Sequence, residues 1–344
     1  MDLPELFVYD EGDEDDAAKD LAQQIARSGI ESPLVVASVH GARLAAGIEG
    51  VGPPATPVGA ADQAWAVDLG TRAKQAGADA VIAVGGGRSL DLGKLAAARA
   101  GLIVIAVPTQ LSHDGICSPV AVVPGPGGRA ESIGAIPPRF VYLSIPTLIG
   151  APAPTVAAGI GDLLANPLAL RDWALAAERG HEEVDPRAWD LSTEAFTAIE
   201  PFLDDDPVGK SADPAFLRTL ANSLVLSGMA MIQSGTSRPA SGGEHEISHA
   251  IDHLHGSRAL HGAQVAFGCI FSVALYGEDT TAFRQRLQRL GLPDHPRSLG
   301  FSKDEVAHVL LEAPQTRPGR FTILEEANLD HAAATALVER IWPE

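Results

Sequence analysis

The chain has 344 residues, and 46% of them are hydrophobic, which is enough to bury the core of two domains or of one large domain with a helical cap. Its 44 Asp and Glu outnumber its 25 Lys and Arg and give a net charge of −19. That balance argues against nucleic acid or an anionic membrane surface as a partner held by bulk electrostatics. A small anion stays compatible with it, because a site needs only a few local cationic groups, helix N-termini or a metal.

Short runs rich in Val and Ile predict four strands, at residues 33–38, 78–84, 102–107 and 140–145. Segments with an apolar stripe predict helices between them, at about residues 16–27, 61–75 and 90–100. Strands that are apolar throughout and alternate with amphipathic helices are typical of a parallel sheet covered on both faces. The first part of the chain is therefore predicted to be a doubly wound α/β domain.

After the proline cluster at residues 151–155 the strand signal ends, and helical segments rich in Ala and Leu follow at residues 155–178, 214–233, 243–254 and 263–276. We place a domain boundary near Gly150, with an α/β domain at residues 1–150 and an all-helical domain at residues 151–344. Residues 124–129 predict a turn between two short strands, and residues 204–213 predict a solvated loop.

The two cysteines, Cys117 and Cys269, lie far apart and outside any Cys-x-x-Cys pattern, so they indicate neither a disulfide framework nor a thiolate metal site. The N-terminal residues lack a basic stretch followed by an apolar one, and no continuous apolar run reaches the roughly 18 residues of a membrane span. We therefore expect a protein of the cytoplasm.

Gly85, Gly86 and Gly87 follow a predicted strand and precede a predicted helix, with Ser89 near the start of that helix. Glycines let the backbone approach a ligand closely, and the free N–H groups at a helix N-terminus favour a pyrophosphate. The triplet is not the Gly-x-Gly-x-x-Gly pattern, and a plain tight turn is the alternative interpretation. Asp91 either belongs to this site or is only a favourable acid in the first helical turn.

A second loop, at residues 107–119, follows the next predicted strand and carries Thr109, Ser112, His113 and Asp114. Polar residues at the carboxyl end of a parallel strand lie at the edge where doubly wound sheets bind ligands. Ligand binding and a hydrogen-bonded structural loop are equally good interpretations of this stretch.

Residues 241–262 hold five histidines, and this is where the chain is expected to do chemistry. His245, His249 and His253 share one face of the predicted helix because they are four residues apart. Asp162, His245 and His261 together provide one carboxylate and two imidazoles, a set that leaves positions open on a catalytic divalent metal. Without the histidines, a role at the start of a helix would be the better interpretation of Asp162.

Residues 245–249 read HEISH, which matches the His-Glu-x-x-His helix of zinc proteases with Glu246 as general base. His255 stands at the third-ligand position of the longer protease pattern, but Asp252 occupies a position that requires glycine. So short a pattern arises easily by chance in a histidine-rich segment, and the α/β half would have no role in such a protease. A zinc hydrolase is kept only as an alternative.

Six stretches of the chain resemble sn-glycerol-1-phosphate dehydrogenases, which belong to the superfamily of iron-type alcohol dehydrogenases, glycerol dehydrogenases and dehydroquinate synthases. They are GGGRSLDLGK (85–94), VPTQLSHDGICSP (107–119), GIGDLLANPLALRDW (159–173), SRPASGGEHEISHAID (237–252), LHGAQVAFG (260–268) and RPGRFTILE (317–325). The resemblance implies a dehydroquinate-synthase-like fold, with a nucleotide-binding α/β domain, a helical domain and a catalytic metal in the cleft between them.

By the same resemblance, Asp162, His245 and His261 are the metal ligands. Asn166 stands where iron-type enzymes have a further histidine, which favours a three-ligand zinc or nickel site, with Zn²⁺ as the first expectation and Ni²⁺ or Fe²⁺ as alternatives. The other implied site residues are Asp114 and His249 at the reacting centre, the cofactor contacts Gly86, Gly87, Ser89 and Asp91, and Thr109 and Ser112 near the nicotinamide.

The expected reaction is reversible hydride transfer between NAD or NADP and a small phosphorylated substrate, with dihydroxyacetone phosphate and sn-glycerol 1-phosphate as the leading pair. No acid follows the first predicted strand at residues 38–41, so NADP stays open beside NAD. Arg238 and Arg258 flank the histidine segment and are candidates for the substrate phosphate, with a plain surface charge as the alternative for each. Members of the family tend to form homodimers or larger homo-oligomers.

Other functions stay open beside this one. A dehydroquinate-synthase-like cyclase would use the same metal and NAD, but it needs several Lys and Arg around a polyanionic substrate, and the active-site segments are poor in them. A glycerol dehydrogenase or another alcohol dehydrogenase would share the mechanism without a phosphate pocket. A chain whose histidines only pack a core fits badly with a carboxylate and two histidines at matching motifs.

Overall fold

The structure is a computed structural model, and it describes residues 3–52, 54, 56, 61–124, 130–204 and 209–343. The strands are β1 Glu5–Tyr9, β2 Leu34–Ala37, β3 Ala80–Gly85, β4 Ile103–Pro108, β5 Val120–Pro124, β6 Ala130–Gly134 and β7 Phe140–Ser144. The α-helices are α1 Glu14–Arg27, α2 Ala42–Ala45, α3 Gln63–Gln75, α4 Gly87–Ala100, α5 Ile145–Ile149, α6 Ala153–Leu163, α7 Asn166–Glu178, α8 Pro186–Ile199, α9 Pro214–Ser234, α10 Gly243–His255, α11 His261–Leu275, α12 Thr281–Arg289, α13 Lys303–Glu312, α14 Ile323–Ala327 and α15 His331–Ile341.

Five strands form one parallel sheet in the order β1-β7-β4-β3-β2. Successive side chains of a strand point to opposite faces, and both faces of this sheet are buried. Ile82 and Ile105 pack on one face with residues of α1 and α2. Val81 and Val104 pack on the other face with residues of α3 and α4. The predicted doubly wound parallel sheet is confirmed.

Strand β1 has no counterpart among the predicted strands. It pairs in parallel with β7 at the edge of the sheet, from Glu5 opposite Phe140 to Tyr9 opposite Ser144. A five-residue strand that begins with Glu5 and leads directly into an acidic stretch is too short to be assigned from periodicity. Strands β5 and β6 form a separate antiparallel pair, and residues 125–129 of the predicted turn between them lie outside the described residues.

Within the described residues, every helix-or-strand element after Ser144 is helical. The segment predicted as one helix at residues 155–178 is two helices, because α6 ends at Leu163 and α7 begins at Asn166. Pro167 explains this break, since proline lacks the N–H that would bond to the carbonyl of Leu163 and is tolerated in the first turn of a new helix. The break places Asp162 in the last turn of α6. The domain boundary near Gly150 stays a prediction.

Helix α9 is long and apolar enough to cross a membrane by length and composition, with a mean hydropathy of 1.4 over an 18-residue window. However, 67% of that window is buried inside the protein, where α9 packs against α8. An apolar helix enclosed by other helices has the same composition as a membrane span. Its composition is therefore explained by packing in the core.

Candidate metal and dinucleotide site

Three side chains from three helices meet at one point: Asp162 of α6, His245 in the first turn of α10 and His261 at the first residue of α11. One ligand atom from each lies within 4.8 Å of the others. Oδ1 of Asp162 is 3.8 Å from Nε2 of each histidine, and it is buried without a hydrogen-bond partner among the described residues. A buried, unpaired carboxylate oxygen is unfavourable. The three side chains therefore fit a cation held between them.

The protonation states of this ligand group also suit a metal. Burial, and then nearby cationic groups, lower the pKa of His245 and of His261 well below its ordinary value. Both rings are thus neutral, which is the form that binds a metal. Burial and the neighbouring charge of Asp114 raise the pKa of Asp162. A divalent cation would offset that rise by stabilising the ionised carboxylate.

Two glycines let α6 and α11 approach closely enough to bring the ligands together. A β-carbon on Gly262 would overlap the carbonyl oxygen of Ala158, and one on Gly161 would press against the carbonyl oxygen of Gly262 at 2.5 Å. These glycines are the sequence neighbours of His261 and Asp162. The helix crossing therefore sets the distance between the carboxylate and the second imidazole.

Glu244 is a site residue that the sequence analysis misses. It is fully buried, and its Oε1 accepts hydrogen bonds from the backbone N–H of Gly242 at 2.5 Å and from Nδ1 of His245 at 2.9 Å. The second bond keeps the ring proton on Nδ1 and leaves Nε2 as the ligand atom. In the sequence, Glu244 looks like an ordinary acid in the first turn of a helix.

A cleft of about 270 Å³ opens over the ligand group, and a larger one of about 620 Å³ adjoins it. Gly87 and Arg88, at the start of α4, line both clefts. The larger cleft also borders the end of β2 at Ser38 and His40 and the helix α5. The two clefts therefore meet at the start of α4, with the ligand group on one side and the carboxyl edge of the sheet on the other.

Five of the six predicted cofactor residues border one of these clefts, and Ser112 borders neither. Gly86, Gly87, Ser89 and Thr109 line the larger one. Asp91 borders the smaller cleft, where its Oδ1 pairs with the buried Lys94 at 2.9 Å and its Oδ2 accepts from the backbone N–H of Val122 at 3.2 Å. Ser112 is buried, and its backbone carbonyl lies against Gly262.

Asp114 borders the smaller cleft and touches the ligand group through its backbone. Its N–H donates to Oδ2 of Asp162 at 2.8 Å, and its own Oδ2 accepts from the hydroxyl of Ser227 at 3.0 Å. Burial raises the pKa of Asp114 to about 6, although Ser227 and Lys94 oppose the rise. A carboxyl group with that pKa exchanges a proton near neutral pH.

His249 lies one helical turn after His245 and outside the ligand group. Its Nε2 accepts a hydrogen bond from Nη2 of Arg317 at 3.0 Å, so its ring proton is on Nδ1. Burial, and then the charge of Arg317, lower the pKa of His249 well below its ordinary value. His249 is therefore a neutral imidazole that lines the cleft.

The geometry argues against the zinc-protease interpretation of HEISH. Oε2 of Glu246 accepts from the hydroxyl of Thr322 at 3.1 Å, and Glu246 is not among the residues that line the cleft. The ring of His255 packs against that of Phe301, with centroids 4.9 Å apart. The general base and the third ligand of the protease pattern are thus both engaged elsewhere.

The chain is 38% identical to the glycerol-1-phosphate dehydrogenase (NAD(P)+) of Hyperthermus butylicus over 257 residues, which are 75% of this chain and 72% of that protein. It is 32% identical to the enzyme of the same name from Thermofilum pendens over 339 residues, 97% of this chain and 95% of that one. The chain belongs to the glycerol-1-phosphate dehydrogenase family. The predicted family and the oxidoreductase class are confirmed.

The chain also shows wider similarities. Residues 5–152 match the family described as iron-containing alcohol dehydrogenase. A probable glycerol dehydrogenase from Sinorhizobium meliloti has a TM-score of 0.80 at 21% identity and covers 98% of this chain and 96% of its own. Sulfoacetaldehyde reductase from Bifidobacterium kashiwanohense, in complex with NAD+, has a TM-score of 0.72 at 13% identity and covers 100% and 98%. At such identities the likeness shows a shared fold.

Proposed function

We propose that this chain catalyses the reversible reduction of dihydroxyacetone phosphate to sn-glycerol 1-phosphate with NADH or NADPH. The observation that carries the proposal is the ligand group of Asp162, His245 and His261, which lies beside two adjoining clefts. The names of the relatives supply the substrate, since oxidation of the secondary alcohol of glycerol 1-phosphate gives dihydroxyacetone phosphate.

Asp162, His245 and His261 would hold one divalent ion, with Zn²⁺ as the first candidate and Ni²⁺ or Fe²⁺ as alternatives. Such an ion supplies Lewis-acid polarisation of the substrate carbonyl. The backbone N–H of Asp114 occupies Oδ2 of Asp162, which leaves Oδ1 for the ion. Glu244 holds the tautomer of His245 that offers Nε2.

The dinucleotide would lie in the larger cleft, with its pyrophosphate at the N-terminus of α4. Gly86 and Gly87 let the backbone come close there, and the helix start offers N–H groups and a positive dipole end. The nicotinamide supplies the hydride. Glu14, Ser38 and His40 also line this cleft. This lining does not decide between NAD and NADP, so the assay includes both NADH and NADPH.

The carbonyl carbon gains a hydride and the carbonyl oxygen gains a proton, so the site needs an acid. Asp114 is the candidate, because it borders the cleft and its pKa of about 6 is closer to neutral pH than that of an exposed aspartate. His249 holds its proton on Nδ1 and can donate a hydrogen bond while staying neutral. We assign it an orienting or relaying role.

Asp162→Asn tests the proposal. The purified protein should contain one divalent ion per chain and should oxidise NADH or NADPH with dihydroxyacetone phosphate. The variant should lose the bound metal and the turnover together, whereas Asp190→Asn on the exposed side of α8 should keep both. Full turnover by the Asp162 variant would contradict the three-ligand site. Activity on unphosphorylated dihydroxyacetone alone would contradict the substrate.

The remaining expectations of the resemblance join the proposal. We place the enzyme in the cytoplasm, with a small molecule rather than nucleic acid or a membrane as its partner, and we expect a homodimer or a larger homo-oligomer. Light scattering on the protein as it elutes from a size-exclusion column measures the mass of the assembly directly. A monomeric mass at the concentration of the assay would refute that last expectation.

A further inference from the structure

Besides the exposed Arg88, two more enclosed arginines beside the smaller cleft, Arg317 and Arg320, lack a carboxylate partner among the described residues. Arg317 lines the cleft, and it donates from Nη1 to Oγ of Ser237 at 2.8 Å and from Nη2 to Nε2 of His249 at 3.0 Å. Arg320 donates from Nη2 to the same Oγ at 3.0 Å and from Nη1 to the carbonyl oxygen of Ser241 at 2.8 Å. In the part of the chain that the structure describes, neither arginine forms an ion pair.

Such an arrangement is unfavourable unless an anion completes it. Burial, followed by the charges of other arginines, lowers the pKa of Arg320 to about 9, and burial also lowers the pKa of Arg317, although nearby glutamates, Glu246 first, oppose both shifts. Desolvated charges without a counter-ion destabilise a fold. The chain carries 44 acidic residues, yet none of the described ones pairs with these two cations. An anionic ligand in the cleft would supply the missing charge.

The polar groups around the cleft are donors in need of acceptors. Oγ of Ser237 accepts from both arginines, so its own hydroxyl hydrogen is left to donate. Oγ of Ser241 accepts from Nη1 of Arg320 at 3.3 Å and is in the same situation. Both serines line the cleft. A phosphoryl group, whose oxygens accept several charge-assisted hydrogen bonds at once, matches this set.

The two arginines that the sequence offered as candidates for the substrate phosphate, Arg238 and Arg258, lie outside this cleft. Arg238 is only 1% exposed, and its Nε and Nη2 are bound to the carboxylate of Glu182 while Nη1 donates to the carbonyl oxygen of Phe321. Arg258 is exposed and lies over the ring of Phe301, 5.6 Å from its centroid. Neither lines the smaller cleft.

We propose that Arg317, with the hydroxyls of Ser237 and Ser241, binds the phosphoryl group of the substrate and makes the enzyme selective for a phosphorylated ketone. This inference rests on the proposed function and gives it a specificity determinant. His249 separates this anion site from the ligand group, since its Nε2 is 3.0 Å from Arg317 and its ring centroid is 6.3 Å from that of His261. In a triose phosphate, a C–C, a C–O and an O–P bond separate the carbonyl carbon from phosphorus, which suits so short a span.

Arg317→Met and its matched control Arg258→Met test the inference on metal-loaded, full-length enzyme. The kcat/KM of each variant is measured with dihydroxyacetone phosphate and with dihydroxyacetone. For Arg317→Met we expect the loss with the phosphorylated ketone to exceed the loss with the unphosphorylated one by about 100-fold, as for lost charge-assisted bonds to phosphate, because the lost bond to His249 affects both substrates alike. The control should behave as the wild type with both. Inorganic phosphate should compete with dihydroxyacetone phosphate in the wild type and at least about tenfold less well in Arg317→Met.

The outcomes separate this inference from the function on which it rests. A wild-type enzyme that reduces dihydroxyacetone but not its phosphate refutes the proposed function before any variant is made. If the wild type uses the phosphate, equal losses with both ketones in Arg317→Met overturn the anion site, as does an undiminished preference for the phosphate. A loss of phosphate selectivity in Arg258→Met instead would move the site to that residue.

Should Arg317→Met fail to fold, Arg317→Lys is the replacement variant. It keeps the charge without the bidentate fork of the guanidinium group, and we expect its kcat/KM to fall about tenfold more with the phosphorylated ketone than with the unphosphorylated one. Where turnover of dihydroxyacetone is too slow to measure, the phosphate competition decides.

Discussion

Glu244→Gln tests how the ligand group is held, because it keeps the shape of the side chain and removes a carboxyl group whose pKa burial raises to about 7. In the structure Oε1 accepts from two N–H groups, those of Gly242 and of the ring of His245. Oε2 is buried and has no partner among the described residues. The amide oxygen of glutamine must therefore take the Oε1 position, which leaves its NH2 group buried without an acceptor.

The magnitude follows from these contacts. A carboxylate that accepts the Nδ1 proton of a metal-binding histidine makes its Nε2 more basic, and loss of such a partner costs about 10- to 100-fold in metal affinity. That range corresponds to about 1.4 to 2.7 kcal/mol at about 1.36 kcal/mol for each factor of ten. Separately, the buried NH2 group without an acceptor lowers the folding stability by about 1 to 3 kcal/mol.

The assay is turnover as a function of free Zn²⁺, set with a chelator buffer, together with direct competition for the metal. We expect the midpoint for Glu244→Gln to move to about 10- to 100-fold higher free metal, with most of the kcat restored at saturation. Glu246→Gln, two residues along the same helix, is the matched control. Burial raises the pKa of Glu246 to about 9, so this side chain is already neutral at pH 7 and its amide should leave the metal titration unchanged.

Two outcomes would refute this reasoning. A metal titration of Glu244→Gln that coincides with that of the wild type would show that the bond to His245 does not tune the ligand. A shift in Glu246→Gln as large as that in Glu244→Gln would mean that any buried change near the start of α10 loosens the site. Peptide cleavage by the wild type that Glu246→Gln abolishes would instead support the zinc-hydrolase alternative.

Two further substitutions test the framework around the site. Lys94→Met should destabilise the protein by about 3 to 5 kcal/mol in chemical denaturation, because it leaves the buried Asp91 and three backbone carbonyls without their cation. A denaturation midpoint equal to that of the wild type would contradict this. Gly262→Ala should lower the metal content while the circular dichroism spectrum stays helical, because the new methyl group pushes α11 away from Ala158 of α6. Gly134→Ala, which meets open space, is the control, and equal metal content in both variants would contradict the proposed crossing.

The sheet is predictable because its central strands carry their own signal. Strands β3 and β4 are buried on both faces, so they appear as unbroken runs of Val, Ile and Ala. The break between α6 and α7 could also have been predicted, from Pro167, but the continuous apolar stretch around it favours one long helix. Strand β1 could not be predicted, since five residues at the edge of a sheet are too few to show a hydrophobic periodicity.

The ligand group is predictable from residue type, whereas its supports are not. Asp162, His245 and His261 stand out because a carboxylate and two histidines recur in recognisable motifs, and the structure brings them together although their role as ligands stays a prediction. Arg317 touches His249 across 68 positions of sequence. Closeness in sequence favoured Arg238 instead, and only the fold shows that Glu182 already neutralises it.

The local field of the site resolves the conflict between the charge of the chain and the charge of its proposed ligands. A net charge of −19 opposes any anion at long range. Helices α4, α10 and α11, however, all begin at the clefts, with Gly87, His245 and His261 in their first turns, and a helix N-terminus carries about half a positive charge. Together with Arg317, which forms no ion pair with the described residues, and with the proposed cation, these short-range charges act within one Debye length, about 8 Å at physiological ionic strength. The same protein can therefore repel an extended polyphosphate and still hold a dinucleotide and a triose phosphate.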